Sequence, residues 1–243
     1  MKVLSYNIYN GGDDRLPLIA NVIESQRPDV VALQEATSRS RAESLAGTLK
    51  MDLIFGEAKS GFHVAWLSCL PVVRSDNHRL SALTRALLEI EVAWNSSTVP
   101  FFTTHLWPRG SVEGERRRME EMRGILDVLR PLADRPHLLV GDFNALSPGD
   151  PIDLPHTEQE EAQVRDLPRW VIPMLLDAGY VDCYRVLHPN APGYTFASFH
   201  PWARIDHIFA SSMMASQLTA CGVATGAQAR EASDHFPIWA EFQ

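Results

Sequence analysis

The sequence predicts an α/β fold, and two observations carry that expectation. Short apolar runs of strand length alternate with amphipathic stretches of helix length to the end of the chain. Two of the runs are separated only by a short polar turn around Asn95, Ser96 and Ser97, which makes a hairpin and so implies mixed rather than purely parallel sheets.

In chain order, 3–8 opens as a strand and 16–26 follows as an amphipathic helix. Residues 30–33 are wholly apolar and read as a buried strand, and 40–50 read as the next helix. Strands are expected over 64–67, 86–93 and 99–105, the last two forming the hairpin. The helix 112–129 presents Met119, Met122, Ile125, Leu126 and Leu129 as its buried face. A strand at 138–141, a helix at 168–178 and strands at 205–210 and 237–242 complete the pattern. The stretch 150–166 differs: it is acidic, poor in large apolar residues, and holds Pro151, Pro155 and His156. It reads as a surface excursion after a strand end, either the lip of a site or a solvated loop.

Length and composition narrow the class. The 243 residues are enough for a sizeable core, and 45% hydrophobic with 21% charged residues is the balance of a soluble globular protein. No apolar run is long enough to cross a bilayer, and the N-terminal residues lack the regions of a signal peptide, so a cytoplasmic location is expected. Cys69, Cys183 and Cys221 are odd in number and far apart, which speaks for buried free thiols over a disulfide framework or a thiolate zinc site. The formal charge of −8 argues against strong non-specific binding to nucleic acid. It is compatible with a phosphate substrate if clustered carboxylates hold a cation.

Polar residues collect where apolar runs end. Leu138-Leu139-Val140 leads into Gly141-Asp142-Phe143-Asn144, and on an extended backbone Asp142 and Asn144 point to the same side. A carboxylate there can orient and deprotonate water, and an amide can hold that water or a substrate oxygen. Glu35 ends the run 30–34 and is a hard oxygen ligand suited to Mg²⁺, or else a helix cap. Asp206 lies in the apolar stretch Arg204-Ile205-Asp206-His207-Ile208 and needs a partner if buried. His235, in Ser233-Asp234-His235, is the candidate, and an Asp–His pair favours an imidazolium able to stabilise charge on a phosphoryl oxygen. Asn7 and His105 sit at the ends of two further strands.

These residues in this order resemble the endonuclease/exonuclease/phosphatase superfamily. The matching stretches are Ser5-Tyr6-Asn7, Leu33-Gln34-Glu35, Thr104-His105-Leu106, Gly141-Asp142-Phe143-Asn144, Arg204-Ile205-Asp206-His207-Ile208 and Ser233-Asp234-His235. Fainter echoes include Arg85-Ala86-Leu87-Leu88 and Gly193-Tyr194-Thr195-Phe196. The resemblance implies a four-layer α/β/β/α sandwich with two mixed sheets, formed by residues 1–243 as one catalytic domain. It implies Mg²⁺ as cofactor, with Mn²⁺ able to substitute, held mainly by Glu35 with Asn7 and Asp234 nearby. Asp142 would ready the water, Asn144 would position it, and His235 paired with Asp206 would stabilise the transition state. His105 would contact the scissile phosphate or serve the leaving group. Tyr9 stands where AP endonucleases often have an acidic residue, and His105 where they have Tyr, which moves the expectation away from abasic-site cleavage.

Arg109, Arg116, Arg123 and Arg130 recur every seven residues beside Glu113, Glu120 and Asp127. Spacings of three and four favour a solvated salt-bridge ladder over a nucleic-acid ridge. Arg109, ahead of the helix, and Trp107 beside it are candidate substrate contacts, Trp107 either stacking on a base or packing. The leading expectation is therefore a Mg²⁺-dependent phosphohydrolase acting on a phosphodiester or phosphomonoester. The alternative is a nuclease on DNA or RNA, and the remote one a binding protein on the same scaffold.

Overall fold

A computed structural model of the chain describes residues 1–153 and 164–243; the centre of the acidic stretch 150–166 lies outside them. The strands are β1 (Lys2–Asn7), β2 (Val30–Gln34), β3 (Asp52–Gly56), β4 (Val64–Ser68), β5 (Val72–His78) and β6 (Leu87–Trp94). They continue with β7 (Ser97–His105), β8 (Leu138–Asp142), β9 (Val181–Asp182), β10 (Asp206–Ala210), β11 (Leu218–Val223) and β12 (Ile238–Phe242). They form two six-stranded sheets, ordered β11-β12-β1-β2-β4-β3 and β5-β6-β7-β8-β10-β9. One pair in each sheet, β1/β2 and β7/β8, is parallel and the others are antiparallel. The expected hairpin is β6/β7, and its turn residues Asn95 and Ser96 have φ of 47° and 62°. Two positive φ values in a two-residue turn match the right-handed twist of the strands.

Three apolar layers stack these sheets. Between them, Val3, Val30, Val64 and Trp66 face Ile90, Phe101, Val140 and Ile208. The Trp66 indole N–H crosses the gap to the Leu88 carbonyl at 3.1 Å, so the large ring is buried without an orphaned donor. On the outer face of the first sheet lie helices α1 (Leu16–Gln26) and α2 (Arg39–Leu49), with the short helix Ala227–Ala232. On the outer face of the second lie α3 (Val112–Leu129) and the helix Val171–Asp177. This is the expected four-layer α/β/β/α sandwich of two mixed sheets.

Several expectations change in detail. The helix expected over 168–178 runs only Val171–Asp177. Helix α3 buries Met122, Ile125 and Leu129 as anticipated, but also Glu115, Arg118 and Glu121. The Glu115 carboxylate pairs with Arg118 at 2.7 Å and accepts the Trp170 and Val171 N–H groups at 2.7 and 3.0 Å, capping the following helix. The salt-bridge ladder survives only as Arg116–Glu113 and Arg130–Asp127 among the described residues. Fully exposed pairs gain too little to hold every rung against side-chain entropy. Cys183 and Cys221 are buried thiols as expected, whereas Cys69 is exposed. Asp150, assigned to the surface excursion, is instead buried and paired with Arg204 and Arg185, each at 2.8 Å. Among the described residues no helix is long and apolar enough to cross a membrane.

Strand directions place the chemistry. The ends of β1, β2, β7 and β8 and the starts of β10 and β12 share one rim of the sandwich.

Candidate active site

Asp142 is the last residue of β8. It follows Gly141, whose φ is 146° and where a Cβ would meet the Thr104 carbonyl oxygen at 2.0 Å. Only glycine lets β8 run this close to β7. The register sets His105 on one side of Asp142 and Asp206 on the other. Two carboxylates abreast repel each other, and His235 resolves the conflict. Its Nδ1 lies 2.8 Å from Asp206 Oδ2 and its Nε2 lies 3.8 Å from Asp142 Oδ2. Burial opposes a charge on this ring, but the Asp206 carboxylate and its hydrogen bond, then Asp142 and Asp234, outweigh it and push the imidazole up to about 10. His235 is therefore an imidazolium at neutral pH.

Asp142 is held ionised. Burial alone would raise its pKa, but His105, His235 and the Asn144 N–H outweigh burial and hold it well below the ordinary carboxylate range. Asn7 Nδ2 donates to Oδ2 at 3.0 Å and the Asn144 N–H to Oδ1 at 2.9 Å. His105 Nε2 lies 3.2 Å from Oδ2, and burial lowers the pKa of this ring, so it is neutral with its proton on Nε2. Its Nδ1 is buried with no partner among the described residues.

Asn144 reaches the site by a different route from the one its spacing suggests. The strand stops at Asp142, and Asn144 has a left-handed φ of 48°. An Asx-type turn, with the Asp142 side chain accepting the Asn144 N–H, replaces the two-residue strand period. Asn144 Nδ2 donates to the Leu106 carbonyl at 3.1 Å, which leaves Oδ1 as its outward acceptor.

The opposite sheet supplies the oxygen ligands. Asn7 ends β1, and its Oδ1 accepts the Tyr9 N–H at 3.1 Å. Residues 9–13 all have positive φ, and this contorted segment aims the Asn10 N–H at Glu35 Oε2, 2.9 Å away. Glu35, itself at φ 58°, follows β2 and has no protein donor on Oε1 among the described residues. Asp234 is half-buried. Burial raises its pKa, His235 opposes the shift, and the charges of Glu35 and Asp142 raise it further. The repulsion that Glu35 and Asp142 exert on Asp234 is one that a hard divalent cation relieves, so the residues fit such an ion. Donor atoms of Asp142, Asp206 and His235 also lie within 4.8 Å of one another. Both His235 nitrogens there face carboxylates, so that trio stores a proton rather than a metal.

Other residues have roles the sequence did not disclose. Ser233 Oγ donates to the Asn7 carbonyl at 2.6 Å and accepts the His235 N–H at 3.2 Å, tying the late rim segment to β1. Thr195 Oγ1 accepts the Ile205 and Asp206 N–H groups at 3.1 and 3.2 Å. The Phe196 ring packs 4.9 Å from His235. Both lie in the motif Gly193-Tyr194-Thr195-Phe196, whose match was the available signal. His207 turns away from the rim, with Nδ1 3.0 Å from Arg204 Nη1 and Nε2 3.2 Å from the Ala145 carbonyl. Trp107 is half-buried beneath the Arg117 guanidinium, 4.1 Å from its ring centre. Arg109 is exposed, its carbonyl accepting from Arg118 at 2.9 Å.

The sequence matches the Endonuclease/Exonuclease/phosphatase family over residues 4–235. It is 28% identical to exodeoxyribonuclease III of Haemophilus influenzae, with 100% of both chains covered. The fold is similar to that of a 3'-5' exonuclease from Neisseria meningitidis, with a TM-score of 0.78, 21% identity and 100% of both chains covered. It is also similar to an AP endonuclease from Archaeoglobus fulgidus, with a TM-score of 0.76, 19% identity and coverage of 100% of this chain and 99% of the other. With the match spanning nearly the whole sequence and a carboxylate–imidazole rim to carry the chemistry, the chain belongs to the Endonuclease/Exonuclease/phosphatase family and is a divalent-metal-dependent phosphoric ester hydrolase.

Proposed function

We propose that residues 1–243 act as one catalytic domain that hydrolyses a phosphodiester or phosphomonoester with Mg²⁺, Mn²⁺ substituting, in the cytoplasm. The observation that carries this reading is the single His235 ring set between Asp206 at 2.8 Å and Asp142 at 3.8 Å. It puts an anionic base and a cationic electrophile side by side, the two groups that attack of water on a phosphoester needs.

Asp142 orients the water and takes its proton, and Asn144 Oδ1 holds that water or a phosphoryl oxygen. His235, kept charged by Asp206, meets the charge that builds on the phosphoryl oxygens. His105 is reassigned from the substrate to Asp142: its Nε2–H is committed to that carboxylate and the ring is buried. Glu35, flanked by Asn7 and Asp234, would hold the cation. When bound, Mg²⁺ lowers the pKa of water and neutralises phosphate charge. Trp107 and Arg109 lie on one segment beyond β7 and serve as outer substrate contacts.

The test is a phosphoester panel with Mg²⁺, spanning nucleotides, sugar phosphates, lipid phosphoesters and nucleic acid. Turnover that Asp142→Asn lowers by roughly 10³-fold supports the reading, and unchanged turnover in that variant ends it. A second reading, a nuclease, has its own support in the full-length similarity to an exodeoxyribonuclease III. The net charge of −8 stands against tight non-specific binding. Metal-dependent nicking of plasmid or trimming of oligonucleotides, lost in His235→Ala, would place nucleic acid first.

A further inference from the structure

Arg85 is only 8% exposed, yet forms no ion pair among the described residues. Of its five N–H donors, one is accounted for: Nη1 donates to the Leu106 carbonyl at 2.9 Å. The Phe62 ring lies 5.1 Å from the guanidinium carbon and covers a face of the group without using its edge donors. Taking a charge out of water without a counter-ion is expensive, so a buried lone arginine calls for an anion that arrives from elsewhere. Its location says which kind. The Leu106 carbonyl that Arg85 holds is the same oxygen that receives Asn144 Nδ2 at 3.1 Å, so the guanidinium and the Asn144 amide meet on one acceptor. Burial lowers the pKa of Arg85, and the carboxylates that oppose this are Asp142, Glu35 and Glu121, two of them on the active rim.

Those carboxylates are not its partners. Glu121 is engaged with the Trp107 N–H at 2.8 Å and Thr84 at 3.5 Å, Asp142 with Asn7, Asn144 and the histidines, and Glu35 with Asn10. We propose that Arg85 is a substrate-binding residue whose unused guanidinium edge grips a non-bridging oxygen of the phosphoryl group. The ligand class is a phosphate mono- or dianion, and the inference rests on the proposed hydrolase reading of the same rim. Arg85, just before β6, and His235, just before β12, then meet the phosphoryl group from the two different sheets. The charge comes pre-desolvated, so it acts on the substrate at higher strength than a surface arginine.

Two variants separate gripping from mere bracing of Asn144. Arg85→Gln keeps a donor for the Leu106 carbonyl but removes the charge, whereas Arg85→Lys keeps the charge. The readouts are kcat and KM on the best substrate of the panel, and the affinity for inorganic phosphate measured by calorimetry with Mg²⁺ present. Circular dichroism and the Tm confirm folding of each variant. The expected result is a loss of phosphate affinity of roughly 10- to 100-fold in Arg85→Gln, with a matching fall in kcat/KM and partial recovery in Arg85→Lys. Wild-type phosphate affinity in Arg85→Gln, or recovery there but not in Arg85→Lys, overturns the inference in favour of a bracing role. Absence of wild-type turnover on any phosphoester is the separate outcome that overturns the hydrolase reading itself.

Discussion

Asp142 and Asp206 are direct neighbours across β8 and β10, and His235 is the residue that makes this tolerable. The pH dependence follows from its raised pKa. The ring titrates near 10 in the fold, against about 6.5 for an ordinary histidine. Its stabilising charge is therefore fully present below about 6.5 and is lost as pH rises through about 10. Urea unfolding of wild type is expected to show stability declining over this alkaline window. In Asp206→Asn that slope should flatten, since the partner that raises the pKa is gone. Activity in wild type should persist to mildly alkaline pH and fall toward 10 as the imidazolium discharges. An alkaline limb unmoved by Asp206→Asn would remove the pair from the mechanism.

Among elements, β8 and α3 carry the sharpest consequences. Adding a methyl at Gly141 drives a Cβ to within 2.0 Å of the Thr104 carbonyl at a backbone angle that L-residues avoid. Gly141→Ala is expected to cost about 3 kcal/mol in chemical denaturation, and to displace Asp142 enough to depress kcat. Helix α3 is fastened through Glu115, which serves both Arg118 and the next helix's first N–H groups. Glu115→Ala leaves Arg118 buried without its partner, so a loss of about 3 kcal/mol is expected with little change in the Mg²⁺ dependence of activity. Equal stability of this variant and wild type would mean that water replaces the carboxylate.

Across the whole molecule, the cation should act as a stabiliser as well as a reagent. The charges of Glu35 and Asp142 destabilise the Asp234 carboxylate until a counter-ion arrives. Mg²⁺ at about 100 times its Kd adds roughly 2.7 kcal/mol, a rise in Tm of several degrees. Differential scanning calorimetry should show that rise in wild type and lose it in Glu35→Gln. The same scale shows what was legible in the sequence. The central strands were readable because β1, β2, β4, β6, β7, β8, β10 and β12 are apolar on at least one face. The four strands that escaped, β3, β5, β9 and β11, are the four sheet edges. Strand β5 reads Val-Val-Arg-Ser-Asp-Asn-His, and half-solvated edges of this kind carry no hydrophobic period. Of the candidate site residues, Glu35 and Asp142 were legible as polar endings to apolar runs, and Asp206 and His235 as polar residues where apolar runs begin. Arg85, Ser233 and Thr195 gained roles only in space, since their partners Leu106, Asn7 and Asp206 are set by sheet pairing.

The rim joins positions from both extremes of the chain. Asn7 and His235 are 228 residues apart in sequence, and β12 completes the first sheet by pairing with β1. A chain cut short before residue 233 keeps Asp142 and Asp206 on adjacent strands and lacks the imidazolium set between them. Such a truncated polypeptide is expected to show no phosphoester turnover.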